Sequence, residues 1–80
     1  MENVALQTRF EKIEVGSRVE VYTPVAMYSG ILEETDEGGV VISWRYLEWQ
    51  VVNGSSQETL MTKYQFVGYD SIISYAVIRP

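Results

Sequence analysis

The sequence predicts a mainly β fold in which a short N-terminal helix precedes a five-stranded, strongly bent antiparallel barrel. Three observations predict this class: one initial segment has helical spacing, five later segments have strand-like composition, and turn signals of hairpin length separate them. Eighty residues with no linker or repeat correspond to a single domain, 1–80. Within it, the helix lies in 1–15 and the barrel in 17–78.

The first segment has the spacing of one helical face. Leu6, Phe10 and Ile13 recur at i, i+4 and i+7, so their side chains fall on the same side of a helix. Asn3 is a candidate N-cap, and Gly16 is well placed to end the helix. The predicted helix therefore offers one apolar face to the β-rich remainder of the chain.

The first two predicted strands form a hairpin. Residues 18–22 alternate polar and apolar side chains and end before a proline. Residues 27–34 alternate again around Gly30, and a glycine inside a strand marks a sharp bend or a close approach of two backbones. The sequence T-D-E-G-G at 35–39 then predicts a turn.

Three further strands complete the predicted fold. Residues 40–52 are dense in Val, Ile, Trp and Tyr, and the N-G dipeptide at 53–54 predicts a hairpin turn. The chain returns as a strand over 59–69 and breaks at the dipeptide D-S, 70–71. A last strand over 72–78 closes the barrel.

Composition excludes several kinds of site. The chain has no cysteine, so it has neither disulfides nor thiolate metal sites, and no histidine, the commonest metal ligand and general base. We therefore predict no enzyme activity, no metal and no cofactor. Domains this short bury too little surface to be more than marginally stable alone, and oligomerisation is the remedy that remains.

Charge and hydropathy limit the ligands and the location that are expected for this chain. The net charge is −5 and only six residues are basic, which argues against a broad nucleic-acid surface. No apolar run approaches the roughly 20 residues that a membrane helix needs, so no membrane contact is predicted. No secretory signal is visible at the N-terminus, and the predicted location is cytoplasmic.

Two stretches resemble the motifs of the Sm-like family. The valines of 19–22, the sequence Y-S-G-I-L at 28–32, Asp36 and the run 40–42 are similar to the first Sm motif. Residues 69–78 resemble the second motif in its bacterial, Hfq-like form, where a tyrosine opens a tight turn before a short strand. With the helix in front, the chain resembles a divergent Sm/LSm-like protein whose hairpin at 44–61 is longer than in bacterial members.

The resemblance implies a homo-oligomeric ring, pentamer to heptamer. The strand 59–69 of one copy would pair with 72–78 of the next, because an open barrel leaves edge strands that a closed ring covers. The residues expected at this interface are Tyr64, Phe66, Ile73, Tyr75 and Val77.

The resemblance also locates a nucleotide pocket, which is degenerate in this sequence. In the family the pocket is built from the turn after strand two and the turn before strand five. Here the first turn supplies Asp36, Gly38 and Gly39, and the second supplies Asp70 and Ser71. Base-stacking and phosphate-attracting groups are replaced by carboxylates and small residues, so uridine-rich RNA is not expected to bind in the usual way.

Basic residues outside the pocket are the remaining candidates for weak binding of single-stranded RNA or DNA. Arg9 and Lys12 are neighbours on the helix, and Arg45 and Lys63 interleave with the aromatic residues of the long hairpin. Solvated surface charge explains the first pair equally well. Tyr69 is either a retained pocket residue or a wall of the barrel.

The sequence leaves two alternatives open, one for the role of a surface and one for the function. The segment from Trp44 to Trp49 is either a subunit interface or a nucleic-acid platform, and the interface is favoured because both of its faces are apolar. The alternative function is an SH3/Tudor-like protein-interaction module without nucleic-acid binding. The acidic run 33–37 matches no metal-binding loop and is interpreted as a solvated turn.

Overall fold

The computed structural model describes residues 4–79 of the chain. It contains one helix and five strands: α1 (Val4–Glu11), β1 (Arg18–Tyr22), β2 (Met27–Thr35), β3 (Gly39–Val52), β4 (Ser55–Gly68) and β5 (Ser74–Ile78), with a turn of 3-10 helix, Tyr69–Ser71, before β5. The mainly β class with one short N-terminal helix is confirmed. The helix is shorter than the predicted 1–15, and the candidate N-cap Asn3 lies outside the described residues.

The five strands form one antiparallel sheet in the order β4-β3-β2-β1-β5. Over residues 4–79 the sheet is not closed, and β4 and β5 are its two edges. The predicted antiparallel arrangement is therefore confirmed, whereas the predicted barrel is not. Closure would require the two edge strands of one chain to pair with each other.

The open sheet is nevertheless strongly curled. In a flat sheet, four strand spacings of about 4.8 Å would separate the edges by roughly 19 Å. Residues 69–73 join the two edge strands, and three of them form the 3-10 turn. Such a connection spans at most about 16 Å. The joined ends also lie at different heights, because Gly68 pairs with Gly39 beside the turn after β2, whereas Ser74 pairs with Tyr22 beside the turn after β1. A flat sheet would therefore separate them along the strands as well, so the sheet must curl strongly to bring them within reach of this connection.

Two features of β2 produce the curl. A Cβ atom at Gly30 would overlap the carbonyl oxygen of Ser43 on β3 and lie 2.9 Å from its carbonyl carbon, so only glycine fits there. The β2–β3 register then shifts between Leu32 and Glu34, which leaves Glu33 as a bulge residue that bends the strand. The Glu33 carboxylate accepts a hydrogen bond from the Ser43 hydroxyl. The bend predicted at Gly30 is thus present.

The core lies on the concave side of the curled sheet. Among the described residues, its buried apolar side chains are Phe10, Val19, Val21, Leu32, Val40, Ile42, Val67 and Tyr69. The helix contributes Phe10, whose ring lies 4.7 Å from that of Tyr75 and 6.0 Å from that of Tyr69. The segment after the helix is fixed to β2, because the Gly16 N–H donates to the Leu32 carbonyl at 2.8 Å.

The β3–β4 hairpin extends far beyond the rest of the sheet. The β2 strand pairs with β3 only over residues 40–43, whereas β4 pairs with β3 along its whole length. We call the two-stranded part, residues 44–63, the ribbon. The turn at its tip has Asn53 and Gly54 at φ 52° and 80°, the type I′ pattern expected of N-G. The β4 strand begins at Ser55, four residues before the predicted start.

Candidate functional site

The two turns predicted to form the degenerate pocket are in contact. The Asp36 carboxylate accepts hydrogen bonds from the backbone N–H groups of Gly38, at 2.7 Å, and Gly39, at 3.0 Å. The second turn docks on the first, because the Tyr69 N–H donates to the Gly38 carbonyl at 3.0 Å. The Tyr69 hydroxyl donates to the Asp36 carbonyl at 2.9 Å. The pair of turns is therefore a closed hydrogen-bonded unit.

This unit offers a nucleotide few groups for base stacking or hydrogen bonding. Tyr69 is only 2% exposed and belongs to the core, so its ring has no free face for a base. Burial, followed by the charges of Asp36 and Glu11, raises the pKa of Tyr69, and its hydroxyl stays neutral at pH 7. Asp70 is exposed, and the Ser71 hydroxyl donates to the Gly68 carbonyl at 2.8 Å. The surface of the two turns is acidic and its hydrogen-bonding groups are largely used.

The four candidate basic residues do not form one patch. Arg9 lies in the last turn of α1 and lines a cleft of about 410 Å³ between this helix and the start of β5, and Lys12 follows the helix directly. Arg45 and Lys63 lie on the ribbon, where Thr62 is opposite Arg45 and Trp44 is opposite Lys63. Successive residues of a strand point to opposite faces, so Arg45 and Lys63 are on opposite sides of the ribbon.

The side of the ribbon that continues the core face, its inner face, is partly covered. Trp44 packs against the core, and its ring lies 6.2 Å from that of Tyr28. The Lys63 ammonium lies 5.8 Å from the Trp44 ring centroid, within cation–π range. This ring is engaged within the chain and does not serve as an open stacking platform.

The opposite, outer face of the ribbon, together with the adjoining part of β4, carries a row of exposed apolar side chains that we call the apolar stripe. All six side chains are more than half exposed, from 51% for Phe66 to 75% for Val51. They alternate along the two strands and face the same way in the observed register: Leu47, Trp49 and Val51 on β3, and Leu60, Tyr64 and Phe66 on β4.

The residues predicted at the subunit interface fall into two groups. Tyr64 and Phe66 belong to the apolar stripe, and Ile73, just before β5, is 69% exposed. Tyr75 and Val77 of β5 are only partly exposed and pack against the core. The first three side chains are available to a partner, while the last two mainly stabilise the fold.

Two features were missed by the sequence analysis. One is a groove of about 1030 Å³ on the outer face, where the ribbon leaves the sheet, lined among others by Arg18, Arg45 and Tyr64. The other is the full extent of the apolar stripe, since Val51 and Leu60 were not singled out. The signal that could have found the stripe is the N-G turn, because a two-residue turn fixes the pairing of every residue in the hairpin.

The described residues hold no group of three or more His, Cys, Asp or Glu side chains that could bind a metal ion. Over the same residues, the chain contains no helix of the length and hydropathy required to cross a membrane. In comparisons with known proteins, no family model, no curated protein and no solved structure matches the chain.

Proposed function

We propose that this chain is an Sm-like subunit that assembles into a closed homo-oligomeric ring by pairing β4 of one copy with β5 of the next. The observation that carries the proposal is that β4 and β5 are the two edges of one antiparallel sheet. Edge strands present unpaired N–H and C=O groups, and proteins cover or blunt such edges. Pairing the two edges of neighbouring copies covers both at once.

The composition of β5 supports this pairing. Edge strands that stay free in solution commonly carry charges or prolines that block association. The β5 strand, S-Y-A-V-I, has neither. Ile73 directly before it and Ile78 at its end are exposed apolar side chains. A strand of this kind at an edge is suited to continuing a sheet into another copy.

The shape of the sheet favours a ring. The two edges differ in length, fourteen residues for β4 and five for β5, so their pairing is heterologous. Heterologous pairing gives a ring when the rotation between copies closes and a filament when it does not. Because the sheet is curled, each copy is rotated relative to the one before it, whereas copies of a flat sheet would only be displaced along a line. We propose five to seven copies per ring, as in the family that the chain resembles.

The proposed function of the chain is to assemble into this ring. Weak binding of single-stranded nucleic acid is proposed as a secondary property of the ring. Support for such binding is limited to Arg9 and Lys12, which lie close together at the end of α1 and are exposed. A ring would present this pair once per copy, and several weak contacts add through multivalency. The SH3/Tudor-like alternative predicts a monomer that binds protein.

Light scattering coupled to size-exclusion chromatography, together with native mass spectrometry, tests the assembly. We expect at least five copies for the unmodified protein at micromolar concentration. Ile73→Glu should reduce this to two copies or fewer, because each interface would then bury an unpaired carboxylate at a cost of several kcal/mol. The Ile73 N–H donates to the Tyr22 carbonyl, a backbone contact that the variant keeps.

Val25→Glu is the matched control for this variant. Val25 is 88% exposed in the turn between β1 and β2, and it belongs to neither of the two edge strands. The same charge placed there should leave the copy number unchanged. An unmodified protein that is monomeric at micromolar concentration would rule out the ring and favour the protein-interaction module.

A further inference from the structure

The ribbon lacks a layer on its outer face. A two-stranded hairpin on its own is at best marginally stable in water. The outer face nevertheless carries four exposed side chains of the apolar stripe, including Trp49, and the stripe continues on β4 beyond the ribbon with Tyr64 and Phe66. Side chains of this size expose on the order of 100 Å² or more each, so the stripe amounts to several hundred Å².

The size of this surface matches an interface between proteins. The Arg45–Thr62 pair divides the stripe into Leu47, Trp49, Val51 and Leu60 on one side and Tyr64 and Phe66 on the other. The exposed area of all six side chains together is on the order of 800 Å². It is close to the roughly 800 Å² that each partner contributes to a stable interface. The apolar stripe is therefore large enough to hold a second protein surface.

The order of side chains on the outer face is self-complementary. The pair Leu47–Leu60 is flanked on one side by Arg45, opposite Thr62, and on the other by Glu58, opposite Trp49. Each cross-strand pair forms a row across the ribbon. A two-fold axis through the leucine row would place the Arg45–Thr62 row of one ribbon over the Trp49–Glu58 row of the other. Each guanidinium would then meet a carboxylate and an indole ring, and the contact would occur twice.

We propose that the outer face of the ribbon binds the same face of a second copy, related by a two-fold axis at Leu47 and Leu60. The two ribbons would stack as two sheet layers about 10 Å apart, with the leucines at the centre. The occupant is a second copy because the charges that flank the leucines complement one another under this symmetry. This contact goes beyond the ring, and the two are independent: the ring uses the edges of the sheet and the pairing uses side chains of one face.

Charge reversal tests the pairing without touching the core. In Arg45→Glu every two-fold contact brings two carboxylates together, and in Glu58→Arg it brings two guanidiniums together. We expect each variant to show half the copy number of the unmodified protein by native mass spectrometry. An equimolar mixture of the two should restore the copy number, because each mixed pair has opposite charges in both contacts. The double variant should restore it as well.

Two outcomes would overturn the proposal. One is that both single variants keep the unmodified copy number. The other is that they lose it and neither the mixture nor the double variant regains it, which would show that Arg45 and Glu58 do not face each other. Circular dichroism should show the same β signal for all variants, since both side chains are exposed.

The Ile73→Glu variant separates this contact from the ring. With the edges disrupted, two copies should remain, and adding Arg45→Glu should reduce them to one. If the unmodified protein is a dimer that Arg45→Glu dissociates, the ribbon pairing holds and the ring is wrong. If it has five to seven copies and Arg45→Glu changes nothing, the ring holds and the ribbon pairing is wrong.

Discussion

The two halves of β3 have a similar share of apolar residues but differ completely in burial. Residues 39–43 are buried or nearly so, whereas residues 45–52 are all exposed, although five of those eight are Tyr, Leu, Trp or Val. The near half lies between β2 and β4 and faces the core. The far half pairs with β4 alone. Burial along this strand is therefore decided by the presence of a third strand and a covering layer, and not by the hydrophobicity of the side chains.

This contrast separates the part of the chain that has a covering layer from the part that is exposed on one face. The curled sheet and α1 enclose a small core that includes Phe10. The ribbon has its backbone hydrogen bonds and a turn that sets its twist, but its outer face has no counterpart within residues 4–79.

The largest expected effect is on the curled sheet. Gly30→Ala should destabilise the fold by about 4 kcal/mol or more, because the new methyl group would overlap the Ser43 carbonyl and β3 cannot retreat without losing β4. Gly38→Ala is the control, since its Cβ would lie 3.7 Å from its nearest neighbours, an ordinary contact. Urea unfolding of both variants measures the difference. Equal midpoints would mean that the close approach at Gly30 does not fix the curl.

A pair of aromatic substitutions compares the core with the ribbon directly. Phe10→Ala should cost about 3–5 kcal/mol, because it removes a fully buried ring that contacts Tyr75. Trp49→Ala removes a larger ring that is 68% exposed, and it should change the stability of a single copy by no more than about 0.5 kcal/mol. The two should be measured in the Arg45→Glu, Ile73→Glu background, where copies are separated. Comparable losses would place the ribbon within the cooperative core.

Much of the fold could be predicted from the sequence because its signals are local. The helical spacing around Phe10, the turn at 53–54 and the bend at Gly30 are each set by a few neighbouring residues. The start of β4 was missed because residues 55–58, S-S-Q-E, have no apolar alternation. They are strand only because they pair with β3 across the N-G turn. The resemblance likewise indicated that the turns at Asp36 and Tyr69 belong together, and the structure brings them into contact.

The candidate surface was harder to predict because it depends on register. Arg45 and Lys63 interleave with the aromatic residues of one predicted hairpin, but the pairing of residue 45 with 62 puts them on opposite faces. The apolar residues of the ribbon indicated burial on both faces, and a single copy leaves the outer one exposed. Neither the pairing nor the missing layer is contained in any short window of sequence.

The smallest expected effect concerns nucleic acid. The chain carries a net charge of −5, so the proposed ring would repel a polyanion at long range, and any binding would have to come from local contacts. Arg9 and Lys12 are near each other, whereas Arg45 and Lys63 cannot contact one strand together from opposite faces of the ribbon. We expect weak binding of labelled single-stranded RNA and DNA at about 0.02 M salt, and its loss near 0.15 M, where charges are screened beyond roughly 8 Å.

Two charge-matched variants sharpen this expectation. Arg9→Gln with Lys12→Gln should weaken binding at low salt. It should also reduce the slope of log Kd against log salt concentration by about 1.4 for each engaged copy, since two phosphate contacts on a single strand are lost. Arg18→Gln with Lys63→Gln removes the same charge from two exposed residues, so it controls for long-range repulsion while it leaves Arg45 in place, and it should flatten the dependence less. Tight binding of a uridine-rich strand that survives physiological salt would contradict this expectation. It would mean that the turns at Asp36 and Tyr69 keep a pocket despite the buried ring, because contacts other than phosphate would then dominate the affinity.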